Sequence, residues 1–234
     1  MKAPLLESET GTLLSSTPLP GNYHLLRLHL PQLSQTIAAG QQLRIEGNVL
    51  PVMRNHPAQQ WIELLSSTLP SWVAPQATLH CAVAGEPFQP PHTAASVLLI
   101  GEALGLAPII FLAERIKKER RHLLLVLLGF NGEIPFRPAP SRIMVDGLPA
   151  GVIATLPLLE DWSVAGRIAH TDEPPGCFGG DVVTLAHHWL QQSQSQPQFE
   201  AVKIYLSGNR EMVEAGASLA EAFNLEYQTA MLLD

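Results

Sequence analysis

The apolar positions of this chain change their period once, near residue 92. Before that point, short runs alternate every second residue. In residues 23–30 (YHLLRLHL), Tyr23, Leu25, Arg27 and His29 share one face, and Leu26, Leu28 and Leu30 share the other. A two-residue period is that of a half-buried strand. Residues 41–46, 61–65 and 77–84 are further strand candidates. No long helical period competes, so residues 1–92 predict a small antiparallel β-barrel. Residues 85–92 (GEPFQPPH) carry Pro87, Pro90 and Pro91. Proline fixes φ and donates no hydrogen bond, so this stretch predicts a linker.

Beyond the linker the order becomes strand, glycine turn, helix. Residues 97–100 (VLLI) are apolar without alternation, as a parallel strand covered on both faces requires. Ile109, Leu112, Ala113 and Ile116 then follow helical spacing. Residues 123–128 predict the next buried strand and 202–206 a later one. Helical spacing returns at Val182, Leu185, Ala186 and Trp189, and again at Met212, Ala215, Leu219 and Phe223. Alternating strands and helices imply a parallel sheet with right-handed crossovers. Residues 93–234 therefore predict a Rossmann-like α/β domain.

Composition narrows the classes. Of 234 residues, 46% are hydrophobic and 15% charged, which excludes a disordered chain. No apolar run approaches the roughly 18 residues of a membrane span. The amino-terminal residues lack the apolar core of a signal peptide. The formal net charge of −7 argues against nucleic acid as a partner. The two cysteines, Cys81 and Cys177, are too few for a disulfide scaffold or a four-thiolate iron–sulfur cluster. A reduced, cytoplasmic protein is expected, and so low a charge content makes a homodimer plausible.

The chemistry concentrates in residues 97–112 (VLLIGEALGLAPIIFL). A buried strand ends at Gly101, a tight turn runs to Gly105, and a helix is expected from about Pro108, where a missing N–H costs little. Helix amides would then face the carboxyl edge of the sheet, where open α/β sheets bind anions such as a pyrophosphate. The same pattern also serves as an ordinary strand-to-helix turn. Other candidates read more plainly. Asp172 and Glu173 form a loop carboxylate pair suited to acid–base work, to a ribose, or to an exposed turn. His187 and His188 are adjacent on a helix and face apart. Cys177, in residues 174–180 (PPGCFGG), fits a packed small residue. The cationic run at 115–121 (RIKKERR) closes a helix where cations suit the dipole.

Three stretches in order carry a family likeness. Residues 101–108 (GEALGLAP), with Phe111 and Leu112 behind them, resemble the dinucleotide turn of the ferredoxin reductase family. Residues 168–183 (IAHTDEPPGCFGGDVV) resemble that family's strand ending in Thr-Asp, and residues 204–212 (IYLSGNREM) its strand ending in Cys-Gly-Pro. The likeness extends to residues 227–231 (YQTAM) and is nearest to the electron transfer subunits of dihydroorotate dehydrogenase. It implies that residues 1–92 hold FAD and residues 93–234 bring NAD(P)H to it. Gly101, Gly105, Ala107 and Pro108 would hold the pyrophosphate. Thr171, Asp172, Gly208, Asn209 and Met212 would line the nucleotide, Ser207 would stand at the nicotinamide, and Arg54 would contact the flavin. Electrons would leave to a separate redox protein or catalytic subunit.

Several positions depart from the family pattern. Glu102 and Ala103 replace glycines, which puts a carboxylate where a pyrophosphate approaches. Ser207 replaces cysteine. Asn209 replaces proline and suits a helix cap. Arg54 lacks the serine expected after it, and the glycine- and threonine-rich flavin loop has no match in residues 62–76. The place of an NADPH-selecting arginine reads Gly129-Phe130-Asn131-Gly132-Glu133, which favours NADH. The competing reading keeps the fold without one or both cofactors, as a binding or regulatory subunit.

Overall fold

The computed structural model describes residues 7–74, 76–91, 96–119, 122–195 and 199–233. Its first half is a closed barrel of six strands: β1 (Ser8–Pro18), β2 (His24–His29), β3 (Gln42–Ile45), β4 (Asn48–His56), β5 (Trp61–Ser66) and β6 (Thr78–Ala84), with a short helix α1 (Leu33–Thr36) after β2. They close in the order β1-β2-β5-β4-β3-β6, and every pairing is antiparallel. The alternation in β2 is what fills the barrel. Leu26 and Leu28 are fully buried inside, while Arg27 and His29 stand outside beside Glu63 and Trp61 of β5. Closure leaves no free sheet edge in the barrel.

The second half begins with β7 (Ser96–Glu102) and α2 (Leu106–Ile116), followed by β8 (Leu123–Phe130). Two short strands, β9 (Ala139–Pro140) and β10 (Ala154–Thr155), and helix α3 (Pro157–Asp161) lead to β11 (Ala165–His170) and β12 (Phe178–Gly179). The chain ends with α4 (Val182–Ser193), β13 (Val202–Gly208), α5 (Arg210–Ala222) and β14 (Glu226–Met231). Six strands form one sheet, ordered β12-β11-β8-β7-β13-β14 and parallel throughout. Strand order reverses between β7 and β13, the place at the carboxyl ends where an open α/β sheet has its ligand crevice. The expected boundary at residues 92 and 93 lies outside the described residues.

One apolar cluster runs from the barrel interior through α2 to one face of the sheet, and a second joins the opposite face to α4 and α5. The four α2 positions read from the sequence are all buried. In α5 the expected face is mostly kept but turned slightly: Met212 is buried and Leu219 and Phe223 pack against the core, while Ala215 is exposed and Val213, Gly216 and Ala220 are buried. Gly216 explains the rotation, because a Cβ there would lie 2.6 Å from Leu206 Cδ2. Leu123 is also a correction, since it is 65% exposed at the open end of β8.

The barrel and the sheet are clasped at separate points. The Gln42 carboxamide donates to Met231 O (2.9 Å) and accepts from Leu233 N–H (3.1 Å). Tyr205 donates its hydroxyl to Gln89 O in the linker (2.7 Å), and Phe88 packs edge-on against its ring. Arg54 of β4 meets Glu114 of α2.

Candidate functional site

The turn after β7 lies at the reversal of strand order. Gly101 pairs with Ser207 of β13 on one side and Leu128 of β8 on the other. Residues Ala103–Gly105 form a single 3-10 turn that runs straight into α2. The helix thus starts at Leu106, earlier than expected, and Pro108 sits at its third position, where an α-helix still makes no use of its N–H. Because the 3-10 turn adds residues in front of α2, and its i→i+3 bonds take up the amides from Gly105 onward, the amides left without helical partners belong to residues 103 and 104.

Gly105 is fixed by contact. A Cβ on it would lie 2.1 Å from Ser207 O and 2.7 Å from Gly208 N, so only glycine lets the turn rest on the end of β13. Gly101 is tight as well, 3.0 Å from Gly105 O by the same measure. Ala103 holds φ at +50°, a left-handed conformation that glycine adopts freely and alanine does not.

Glu102 is the last residue of β7 and pairs with Gly129. Its side chain stands between two glycines. A Cβ on Gly208 would be 3.2 Å from Glu102 Cβ, and one on Gly129 would be 3.7 Å from Glu102 Cγ. Burial first, then the Asp181 and Glu211 carboxylates, raise the pKa of Glu102 above the ordinary glutamate value. Asp181 caps α4, accepting from Thr184 N–H (2.8 Å) and the Thr184 hydroxyl (2.7 Å). Burial alone would raise its pKa, but these bonds and backbone N–H groups hold it below the usual aspartate value. Among the described residues no group of three or more His, Cys, Asp or Glu side chains is placed to hold a metal ion.

The remaining candidates are only partly gathered here. Gly208 and Met212 border the same crevice, since a Cβ on Gly208 would be 2.5 Å from Met212 Cε. Asn209 caps α5, accepting from Met212 N–H at 2.8 Å. Ser207 is fully buried, and its hydroxyl donates across the sheet to Ala230 O (2.9 Å). Thr171 and Asp172 are exposed just beyond β11. Asp172 N–H donates to His170 Nδ1 (3.0 Å), which leaves His170 Nε2 to donate to Gly132 O (2.8 Å). Sequence reasoning missed this buried histidine because the bond spans two loops.

Arg54 lies apart. Its guanidinium meets both carboxylate oxygens of Glu114, at 3.2 and 3.3 Å. Glu114 stands eight residues along α2 from Leu106, about 12 Å up the helix axis at about 1.5 Å per residue. Beside it on the barrel's outer face, Trp61 carries Arg27 over its ring at 4.3 Å and lies 5.3 Å from the His56 ring. Both thiols are unreactive: Cys81 is pushed up to about 12, mainly by burial, and burial also raises Cys177. The His187 and His188 rings pack separately, on Phe223 and Phe178.

Comparison with known proteins places the architecture. No family model and no curated protein matches the sequence. Solved structures do. The ferredoxin reductase of carbazole 1,9a-dioxygenase aligns over 100% of this chain and 71% of its own, at TM-score 0.71 and 14% identity. A ferredoxin–NADP+ reductase from Neisseria gonorrhoeae, with bound FAD and NADP, aligns over 97% and 100%, at TM-score 0.63 and 13% identity. An NADH-dependent reduced ferredoxin–NADP oxidoreductase aligns over 98% and 77%, at TM-score 0.65 and 17% identity. The two-domain fold, an antiparallel barrel joined to a parallel-sheet domain, is that of the ferredoxin reductases.

Proposed function

We propose that this chain is a flavin-linked electron-transfer module of the ferredoxin reductase type. It would pass electrons between NADH, FAD and a separate redox protein. One observation supports the reading: Gly105 rests on the Ser207–Gly208 backbone, which seats the turn from Gly101 to Pro108 against the end of β13 at the reversal of strand order. That backbone fits a diphosphate. Gly101, Gly105, Ala107 and Pro108 would shape the cradle, with the N–H groups of residues 103 and 104 as its free donors. Thr171 and Asp172 stand at the ribose side, while Gly208, Asn209 and Met212 flank the nicotinamide. Ser207 is a positioning residue, because its proton is committed to Ala230 O. When bound, the nicotinamide supplies a hydride and the flavin accepts it.

NADH is favoured over NADPH. The stretch from Gly129 to Glu133 offers no cation to a 2′-phosphate, and Glu133 there lies against Gly21 of the barrel side. The motif order supports a partner like the catalytic subunit of dihydroorotate dehydrogenase, and two buried free thiols suit a cytoplasmic setting. No helix among the described residues is long and apolar enough to cross a membrane. The low charge content supports a homodimer.

A second reading, a reductase fold working as a binding or regulatory subunit without one or both cofactors, is favoured by two contacts. Glu114 holds the guanidinium that a flavin phosphate would need, and Glu102 stands over the nucleotide cradle. Absorbance separates the two. Purified protein supplied with FAD is expected to gain a band at about 450 nm that NADH bleaches without oxygen. A colourless protein indifferent to both supports the second reading.

A further inference from the structure

The cradle departs from an anion site at one side chain. Glu102 is held between Gly129 and Gly208, with its stem in the space their missing side chains leave. Glu102 is the residue that caps the 3-10 turn leading into α2, and its carboxyl makes no hydrogen bond to that turn, whose dipole is equivalent to about half a positive charge. One ionised carboxylate outweighs that half charge. The neighbouring groups that act on it add to the deficit: Asp181 from α4 and Glu211 from α5 are both acidic. Arg210, which precedes Glu211 at the start of α5, is turned along the helix to Glu214 at 3.6 Å. Its neighbours on β8 and β13, Gly129 and Gly208, contribute no charge.

We infer that Glu102 is the specificity-determining residue of this cradle. Its carboxylate takes the place at the helix head that a dinucleotide diphosphate needs, so the chain binds pyridine nucleotides weakly until that carboxylate is removed. This rests on the reading of the cradle given above and sets its affinity.

The test is NADH titration of the full chain by nucleotide fluorescence, with folding of each variant checked by circular dichroism. Glu102→Gln is nearly isosteric and removes only the charge. It is expected to bind NADH at least tenfold more tightly than wild type, equivalent to about 1.4 kcal/mol. Glu102→Gly should gain at least as much, and Glu46→Gln, an equal charge change on the β3–β4 turn of the barrel, should stay within about twofold. Wild type alone provides an independent measurement. Salt should tighten its NADH binding by screening repulsion, where a net cationic site would lose affinity. Equal affinities for wild type and Glu102→Gln would overturn the inference and leave the electron-transfer reading standing. An equal gain in Glu46→Gln would overturn it too, by assigning the effect to net charge. If no variant binds at millimolar NADH, the cradle reading falls and takes the inference with it.

Discussion

Ionising Glu102 costs this fold stability. Its folded-state pKa is raised above the ordinary value of 4.5, so the native protein holds that proton more tightly than the unfolded chain does. As pH rises from the ordinary range through the raised one, the unfolded chain releases its proton first and stability falls. Glu102→Gln should therefore raise the melting temperature at neutral pH, with the gain vanishing below about pH 4, where both states are protonated. Thermal melts at several pH values check this, and a constant gain at all pH would refute it. Ala103 offers a separate measurement. Its φ of +50° disfavours an L side chain, so Ala103→Gly should be stabilising by up to about 1 kcal/mol, offset in part by a freer unfolded chain. Gly105→Ala should do the opposite. A methyl 2.1 Å from Ser207 O forces the turn off β13, at about 3 kcal/mol, and should remove nucleotide binding. Denaturant melts and NADH titration read both outcomes.

Helix starts and strand periods show how far the elements were legible in the chain. The two-residue period of β2 survives in the structure because it presents one apolar face to the barrel core, and the helical spacing of α2 survives within a helix buried on nearly every side between barrel and sheet. The strand β1 left no comparable signal. Its sequence, SETGTLLSSTP, is mostly small and polar, and its place comes from pairing with β2 and β6. On α5 only Ala215 departs from the expected face, because the adjacent Gly216, not a bulky residue, lies against Leu206 of the sheet. The cap on α5 was readable, since asparagine before a helix has one strong use. Asn209→Ala should cost about 1 kcal/mol in a denaturant melt, and Asn209→Asp much less. The Arg54–Glu114 pair could not be read, because its partners are 60 residues apart. With Arg54 about a third exposed, a double-mutant cycle should return a coupling of only about 1 kcal/mol or less.

At the scale of the molecule, the turn and the strand ends were visible as motifs, but what fills the space above them was not. Glycine spacing reports a close approach of backbone. It does not report that Glu102 leans between Gly129 and Gly208, or that Glu114 reaches the barrel's arginine. Those are properties of two halves brought together. The clasp at Gln42 is of the same kind. A nearly inaccessible carboxamide behaves there as a spare peptide unit, engaging the backbone of Met231 and Leu233 from the barrel wall. Any swivel that parts the halves must therefore break both of these bonds at the end of β14 in the same event. Amide protons at the tail of β14 should exchange with deuterium in step with those lining the seam, as one opening unit.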